Sequence, residues 1–459
     1  MRIEITIDGA DAAGANYIGW APVHSSMRLV EADEGTKFVN VLLQNQTPDQ
    51  GGQVVFSCAF AGDPERDART NRIVALRRHD RLHLRLPANG NAVGFFIAGQ
   101  FGRPSTKDKD AVIEVVEANT GAVLAAKALM VRIRKNADNL TADERDRFLS
   151  ALAVLNGGGR GKFSAFRDVH RDNTSDEAHT YPAFPHWHRS YLLDLERELQ
   201  QIDPTVALPY WKFDEPAENV FRLNFMGVAD LSIPPHPDEQ PPPDKPPVNP
   251  AVRFGPLNPL QSWNTDGKLG IDRSPNFDPI NTAPFGVSNN EEETLLLGGL
   301  KNLYAPLLKT MELDPHGAAH VSFAVGYIRD IDTAARDPLF FMLHANVDRL
   351  WAKWQWFYWR FSTEDPAAYH PRPNRIGHYL KDTMWPWNQV TTRPRPVTAP
   401  GGTLAASPTV NAPGPMPTVG DMMDYQGVID PGNRLGFDYD DVPFEFPLEV
   451  GPAEEEPFV

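Results

Sequence analysis

Thirteen histidines are spread unevenly along this chain. Three fall within ten residues of EAHTYPAFPHWHRSYLLDLEREL, residues 177–199: His179, His186 and His188, the last two on either side of Trp187. His316 and His320 stand four apart in DPHGAAHVSFAVGYI. On a helix that spacing puts both imidazoles on one face, one turn apart. His344 lies in ARDPLFFMLHANVDRLWAKWQ, beside Phe341 and Leu343. One histidine on an apolar helix face is ordinarily a hydrogen-bonded core residue, so each alone is weak evidence. The set as a whole excludes the commoner metal chemistries. A zinc-protease helix needs Glu directly after its first His, and here that position is Gly317. A carboxylate-bridged di-iron bundle needs Glu-x-x-His pairs, which the chain lacks. Cys58 is the sole cysteine, so no cysteine-based zinc site can form. What remains is an all-imidazole site, and imidazole suits copper among the redox metals. No Ser-His-Asp set or phosphate loop competes with it.

The elements that must carry these residues are helical. After His188 the chain runs into a Leu-, Glu- and Arg-rich helical pattern, and Pro338 opens the helix of His344. Upstream, Thr141 and Glu144 form a capping-box pattern ahead of an apolar face through Phe148, Leu149 and Leu152, which Gly157 to Gly159 ends. The first 130 or so residues read differently. RIEITIDG alternates Ile3, Ile5 and Ile7, RLHLRLP alternates Leu82, Leu84 and Leu86, and VVEANTGAVL has the form of a hairpin. Short strands between turns predict an all-β sandwich or jelly-roll-like domain. Two Pro-rich stretches, 233–250 and 393–420, are expected to be extended surface loops. The division predicted is a β-rich domain over 1–133, a mainly α domain over 134–445 and an acidic tail over 446–459.

Composition narrows the partners. Hydrophobic residues make up 41% of the 459, enough for ordinary globular cores, and the length suggests more than one domain. The net charge of −16 disfavours nucleic acid, since phosphate contacts need clustered Lys and Arg. The most aromatic run, DPLFFMLHANVDRLWAKWQWFYWRF, is too charged to span a bilayer. VVFSCAF makes Cys58 read as a buried small hydrophobe, and a lone cysteine gives no disulfide. The first residues lack the basic start and apolar run of a signal peptide. A cytoplasmic protein is expected, with export alongside a signal-bearing partner left open.

The second half resembles the tyrosinase family of type 3 copper proteins, which includes catechol oxidases (polyphenol oxidases) and the haemocyanins. HTYPAFPHWHRSYLLDLE resembles the first copper motif, in which two ligands are nine apart and the later one precedes Arg. FRDVH resembles the segment with that copper's remaining ligand, PHGAAH the start of the second motif and DPLFFMLHANVDRLW its end. ALPYWKFDEP and LGFDYDD are similar to two further family segments, the latter with Phe437 where the first Tyr is usual and Tyr439 kept. The resemblance covers about residues 130–445. It implies His170, His179 and His188 on one copper and His316, His320 and His344 on the other, held in a four-helix bundle. Beyond Phe437, the sequence departs from the family in four places. His186 stands where Pro is usual, Leu343 where a further His is common, His170 and His179 are closely spaced, and Glu177 replaces the Cys that forms a thioether in many relatives.

The resemblance further implies two copper ions, dioxygen as co-substrate and small phenols as substrates. O-diphenols would leave as o-quinones, and ring hydroxylation of monophenols would make the enzyme a monooxygenase as well. Efficient hydroxylators often carry Asn after the first ligand of the second copper. Gly317 and Val321, which follow His316 and His320, can neither act as a base nor orient one, so diphenol oxidation is expected to be the stronger. Asp348, Arg189 and Asn346 are expected to partner the ligands' outer nitrogens, with Phe340 packed on the ligands. His186 is expected beside the ligands or on the surface, not on a metal. A haemocyanin-like oxygen carrier and a latent enzyme closed by a lid are the alternatives. The β domain would serve as that lid, or for stability or assembly only. A copper-delivery partner is allowed for, and the oligomeric state is left open.

Overall fold

The fold is taken from a computed structural model, which describes residues 1–7, 16–46, 51–57, 65–66, 73–75, 79–171, 175–179, 182–229, 251–284, 286–295, 302–372, 374–390 and 402–444. Cys58, the Pro-rich stretch 233–250, residues 393–401 and the tail 446–459 lie outside the described residues.

Period-two alternation builds the first part. In β1 (Arg2–Ile7), Ile3, Ile5 and Ile7 are buried while the residues between them are exposed. β1 pairs antiparallel with β3 (Val23–Glu31), which pairs with β9 (Val93–Gly99) and through it with β5 (Val54–Ser57). A second sheet runs β2 (Tyr17–Ile18), β11 (Val123–Val131), β10 (Ala111–Glu117), β4 (Phe38–Gln46), β8 (Arg81–Pro87). β10 and β11 form the hairpin that the sequence indicates, with Gly121 at φ +71° in its turn. The sheets pack on one another through Ile5, Met27, Val41, Leu43, Phe95, Ile113 and Leu129, all buried. β6 (Glu65–Arg66) and β7 (Ile73–Ala75) pair with each other as a separate two-stranded ribbon.

After Val131 the chain becomes helical. α1 (Ala142–Asn156) carries the full Thr141–Glu144 capping box, and Gly157 ends it in the left-handed conformation at φ 52°. α2 (Phe163–Val169) and α3 (Ser175–Ala178) lead into α4 (Phe184–Ile202), with Pro185 in its first turn. Further on come α5 (Glu291–Leu295), α6 (Tyr304–Met311), a wide π-type turn over Glu312–Gly317, α7 (Ala318–Val321), α8 (Ile331–Ala334) and α9 (Leu339–Tyr358). α9 starts where Pro338 permits. The Asp337 carboxylate caps it by accepting from Leu339 N at 2.9 Å while pairing with buried Arg273 at 2.7 Å. α4 packs against both α9 and α1. Residues 402–417 are irregular, as their prolines require. Among the described residues no helix is long and apolar enough to cross a membrane.

Candidate metal centre

Six imidazoles meet as two triads between α4 and α9. His170 follows the last residue of α2, His179 follows α3, and His188 is in α4. His316 is in the π-type turn, His320 in α7 and His344 in α9. His316 and His320 therefore do not share one regular helix. Asp314 leaves helical geometry (φ −143°, ψ 111°), and a regular path resumes in time to put the His316 and His320 rings 4.8 Å apart. In each triad, one nitrogen per histidine can be chosen so that all three lie within 4.8 Å of one another. The triads touch: the His188 and His344 rings stack at 4.1 Å with planes 6° apart.

The outer nitrogens explain the aim of the inner ones. A carbonyl oxygen only accepts, so an imidazole nitrogen against one must carry the proton. Four Nδ1–H groups donate in this way: His170 to Ile331 O (3.1 Å), His188 to Phe184 O (2.8 Å), His316 to Glu312 O (2.9 Å) and His320 to Ile328 O (2.6 Å). In a neutral ring that leaves the Nε2 lone pair pointing inward. His170 and His179 Nε2 are 3.2 Å apart, and His344 Nε2 is 3.4 and 3.2 Å from those of His316 and His320. His188 Nε2 is buried without a protein hydrogen-bond partner. In each close pair one ring, that of His170, His316 or His320, offers its Nε2 lone pair to the space it shares with its neighbour. Two nitrogens at about 2.0–2.1 Å from one ion, at a roughly tetrahedral angle, are about 3.3 Å apart. The spacings fit a metal in each triad.

The electrostatics agree. Burial, then repulsion from His320, lowers His170 to about 3; burial lowers His320 to about 4. The same burial pushes His179, His188, His316 and His344 well down. All six are therefore neutral at physiological pH, the form in which imidazole binds metal. Phe340 packs edge-on to His170 (4.6 Å) and tilted on His344 (4.3 Å), and Phe184 lies 4.8 Å from His188 and 4.9 Å from His316. A cavity of about 600 Å³ opens on the triads, lined by His170, His179, His316 and His320 together with Gly317, exposed Val321 and others.

Several expected neighbours lie elsewhere. The expectation that Asp348, Arg189 and Asn346 partner the ligands is corrected, because backbone carbonyls hold the four partnered Nδ1 atoms. Asp348 instead accepts from Arg189 Nε (2.6 Å), Arg134 Nη1 (3.1 Å) and Tyr439 OH (2.6 Å), all buried. Arg134 also pairs with Glu196, Arg189 also donates to Gln355 Oε1 and Met422 O, and Asn346 Oδ1 accepts from Arg349. These contacts fasten α4 to α9 behind the metal centre. His186, left between a neighbour of the ligands and a surface residue, is fully buried in α4 against Met423, Tyr304, Trp351 and Tyr369. It lies two residues from His188, which on a helix is about 200° round the axis. The cavity also exposes residues that the sequence reading did not single out, Arg329, Asp330 and Asp332. Nothing in their own segment marks them, since it is the fold that brings them beside the histidines.

Comparison with known proteins places this geometry. Residues 160–357 match the common central domain of tyrosinase. The tyrosinase of Streptomyces antibioticus is 30% identical over 288 residues, covering 56% of this chain and 94% of that protein. The tyrosinase of Streptomyces glaucescens is 29% identical over 288 residues, covering 56% and 93%. A functional unit of octopus haemocyanin is similar in structure at 19% identity and a TM-score of 0.41, covering 68% of this chain and 69% of that one.

Proposed function

The chain belongs to the tyrosinase family, whose members are type 3 copper proteins, and we propose that this oxidoreductase converts o-diphenols to o-quinones with dioxygen. In that reaction each diphenol gives up two electrons and two protons, and each dioxygen takes up four of each to become two waters. His170, His179 and His188 would hold one copper, and His316, His320 and His344 the other. When bound, the copper pair supplies the electron transfer and the reduction of dioxygen. Helices α2, α4, α7 and α9, which hold or directly precede His170, His188, His320 and His344, are read as the four-helix scaffold, and the two N-terminal sheets as a jelly-roll-like sandwich.

The chain's own contribution is position and access. Backbone carbonyls fix four rings, so little ligand motion accompanies a change at the metals. Phe184 and Phe340 wall the ligands with apolar surface. The observation that carries the proposal is the cavity, which opens directly on four of the six ligands and is large enough for a phenol. It also favours an enzyme over an oxygen carrier, which needs no such access. Gly317 and Val321, which follow His316 and His320, offer no group to orient a water there, and on that ground diphenol oxidation is read as stronger than monophenol hydroxylation; the carboxylates that share the lining are Glu312, Asp330 and Asp332.

The test is oxygen uptake by copper-loaded protein with a catechol and a matched monophenol, against a copper-stripped control. Copper-dependent uptake with catechol, and much less with monophenol, is the expected result. No uptake with either would reject the enzymatic reading.

A further inference from the structure

The mouth of the cavity carries its own chemistry. Three exposed apolar side chains stand at it, Leu313 (66% exposed), Val321 (53%) and Ile331 (48%). Three carboxylates share the lining with them, Glu312, Asp330 and Asp332. Asp330 precedes α8 but does not spend its side chain on capping that helix. Arg329 is the one cation among the described lining residues. Its Nη1 is turned to backbone, donating to Phe323 O at 2.7 Å and Val321 O at 3.3 Å. Beside the histidines, the lining thus holds three carboxylates and one guanidinium. The protein's net charge of −16 adds a negative far field.

We propose that this mouth selects phenols whose side chain carries an ammonium group, the arylalkylamine class, over those carrying a carboxylate. The proposal rests on the phenol-oxidase reading above and adds the substrate's charge to it. The apolar side chains receive the ring, and the carboxylates receive the tail that projects toward solvent. Positive charge from the metals acts at the cavity floor on the phenol oxygens, which every substrate of the class shares. The tail meets the mouth first.

The experiment compares initial oxygen uptake by the copper-loaded, full-length protein on three matched catechols near neutral pH. Their side chains are a neutral alkyl group, an ethylammonium and a propanoate. The ammonium catechol is expected to exceed the carboxylate one in kcat/KM by about five- to tenfold at low salt, the effect of a few unit charges acting through a wet cavity mouth. The ratio is expected to fall toward one near 1 M salt, where the screening length is about 3 Å. Replacing Asp330 and Asp332 by Asn is expected to lower the ratio, and Arg329→Gln to raise it. Both substrates are read on the same enzyme, so any loss of folded protein cancels from the ratio. A ratio at or below one in low salt, or one that neither variant moves, overturns the proposal while leaving the oxidase reading intact. Failure to oxidise the neutral catechol removes that reading, and the proposal with it.

Discussion

Beside His316 the backbone is bare. A Cβ built on Gly317 would meet the Glu312 carbonyl oxygen at 3.2 Å, tight by a few tenths of an ångström, and Gly317 has helical angles (φ −60°, ψ −36°) that any residue adopts. Gly317→Asn would therefore place a polar amide on the cavity wall at small cost to the backbone. The variant is expected to raise the ratio of monophenol to catechol oxygen uptake severalfold. An unchanged ratio would remove Gly317 from the explanation of weak hydroxylation. At this scale the sequence carried much of the site. Six histidines of the right type and spacing are the residues that the fold gathers. What it could not carry is which atoms steady them. Every residue has a carbonyl, so nothing marked Phe184, Glu312, Ile328 or Ile331 as the partners, and the conspicuous Asp348 and Arg189 drew the expectation instead.

Between elements, a buried charge network does the fastening. Arg134 and Arg189 face Glu196 and Asp348, two cations against two anions, and all four are shielded from water. Asp348→Ala leaves two guanidiniums with one carboxylate. The expected loss is about 3–5 kcal/mol, the usual effect of breaking a buried pair from one side. Urea unfolding of the metal-free protein measures it, and a loss below about 1 kcal/mol would show that the network is not needed to join α4 to α9. Local signals fixed the helix ends well, as the Thr141–Glu144 box and Pro338 illustrate. The network was not legible, because Arg134 and Tyr439 are 305 residues apart and one sequence records no pairing at that range. The π-type turn that holds His316 was hidden for a related reason. It adjusts the path of a helix whose side-chain spacing reads as regular.

For the whole molecule, the buried titratable groups set an acid limit. Burial lowers seven histidines: the six of the triads and His186. The unfolded chain takes up those protons near pH 6.5, so below that pH it binds more than the folded protein and stability falls. Asp194, Asp424 and Asp438 oppose this. Burial raises each to about 6, and raises Asp440 in the same direction, so the folded state gains as their protons bind. Seven imidazoles outweigh four carboxylates. The thermal midpoint of the metal-free protein is expected to drop between about pH 7 and about pH 5. A rising midpoint would contradict the balance.

The β region belongs to the same scale. Trp20 is fully buried, its indole Nε1 donates to Tyr439 O and its backbone N to the Asp438 carboxylate, each at 2.8 Å. No described residue from 1–133 lines the cavity. Cutting near Arg134 and removing that region is therefore expected to lower the thermal midpoint without raising catechol oxidation. Higher activity after the cut would make the region a lid. The alternating strands announced a β region from the sequence. Its seating on the segment around Asp438 did not show there, being a contact across more than 400 residues.

The central claim is a pair of coppers, one per histidine triad, acting together. Stepwise addition of copper to stripped protein, with bound metal and catechol-dependent oxygen uptake measured on the same samples, tests it most directly. Uptake is expected to saturate at two coppers per chain and to be lost in His188→Ala and His344→Ala. Full activity at one copper per chain, or none at two, would contradict it.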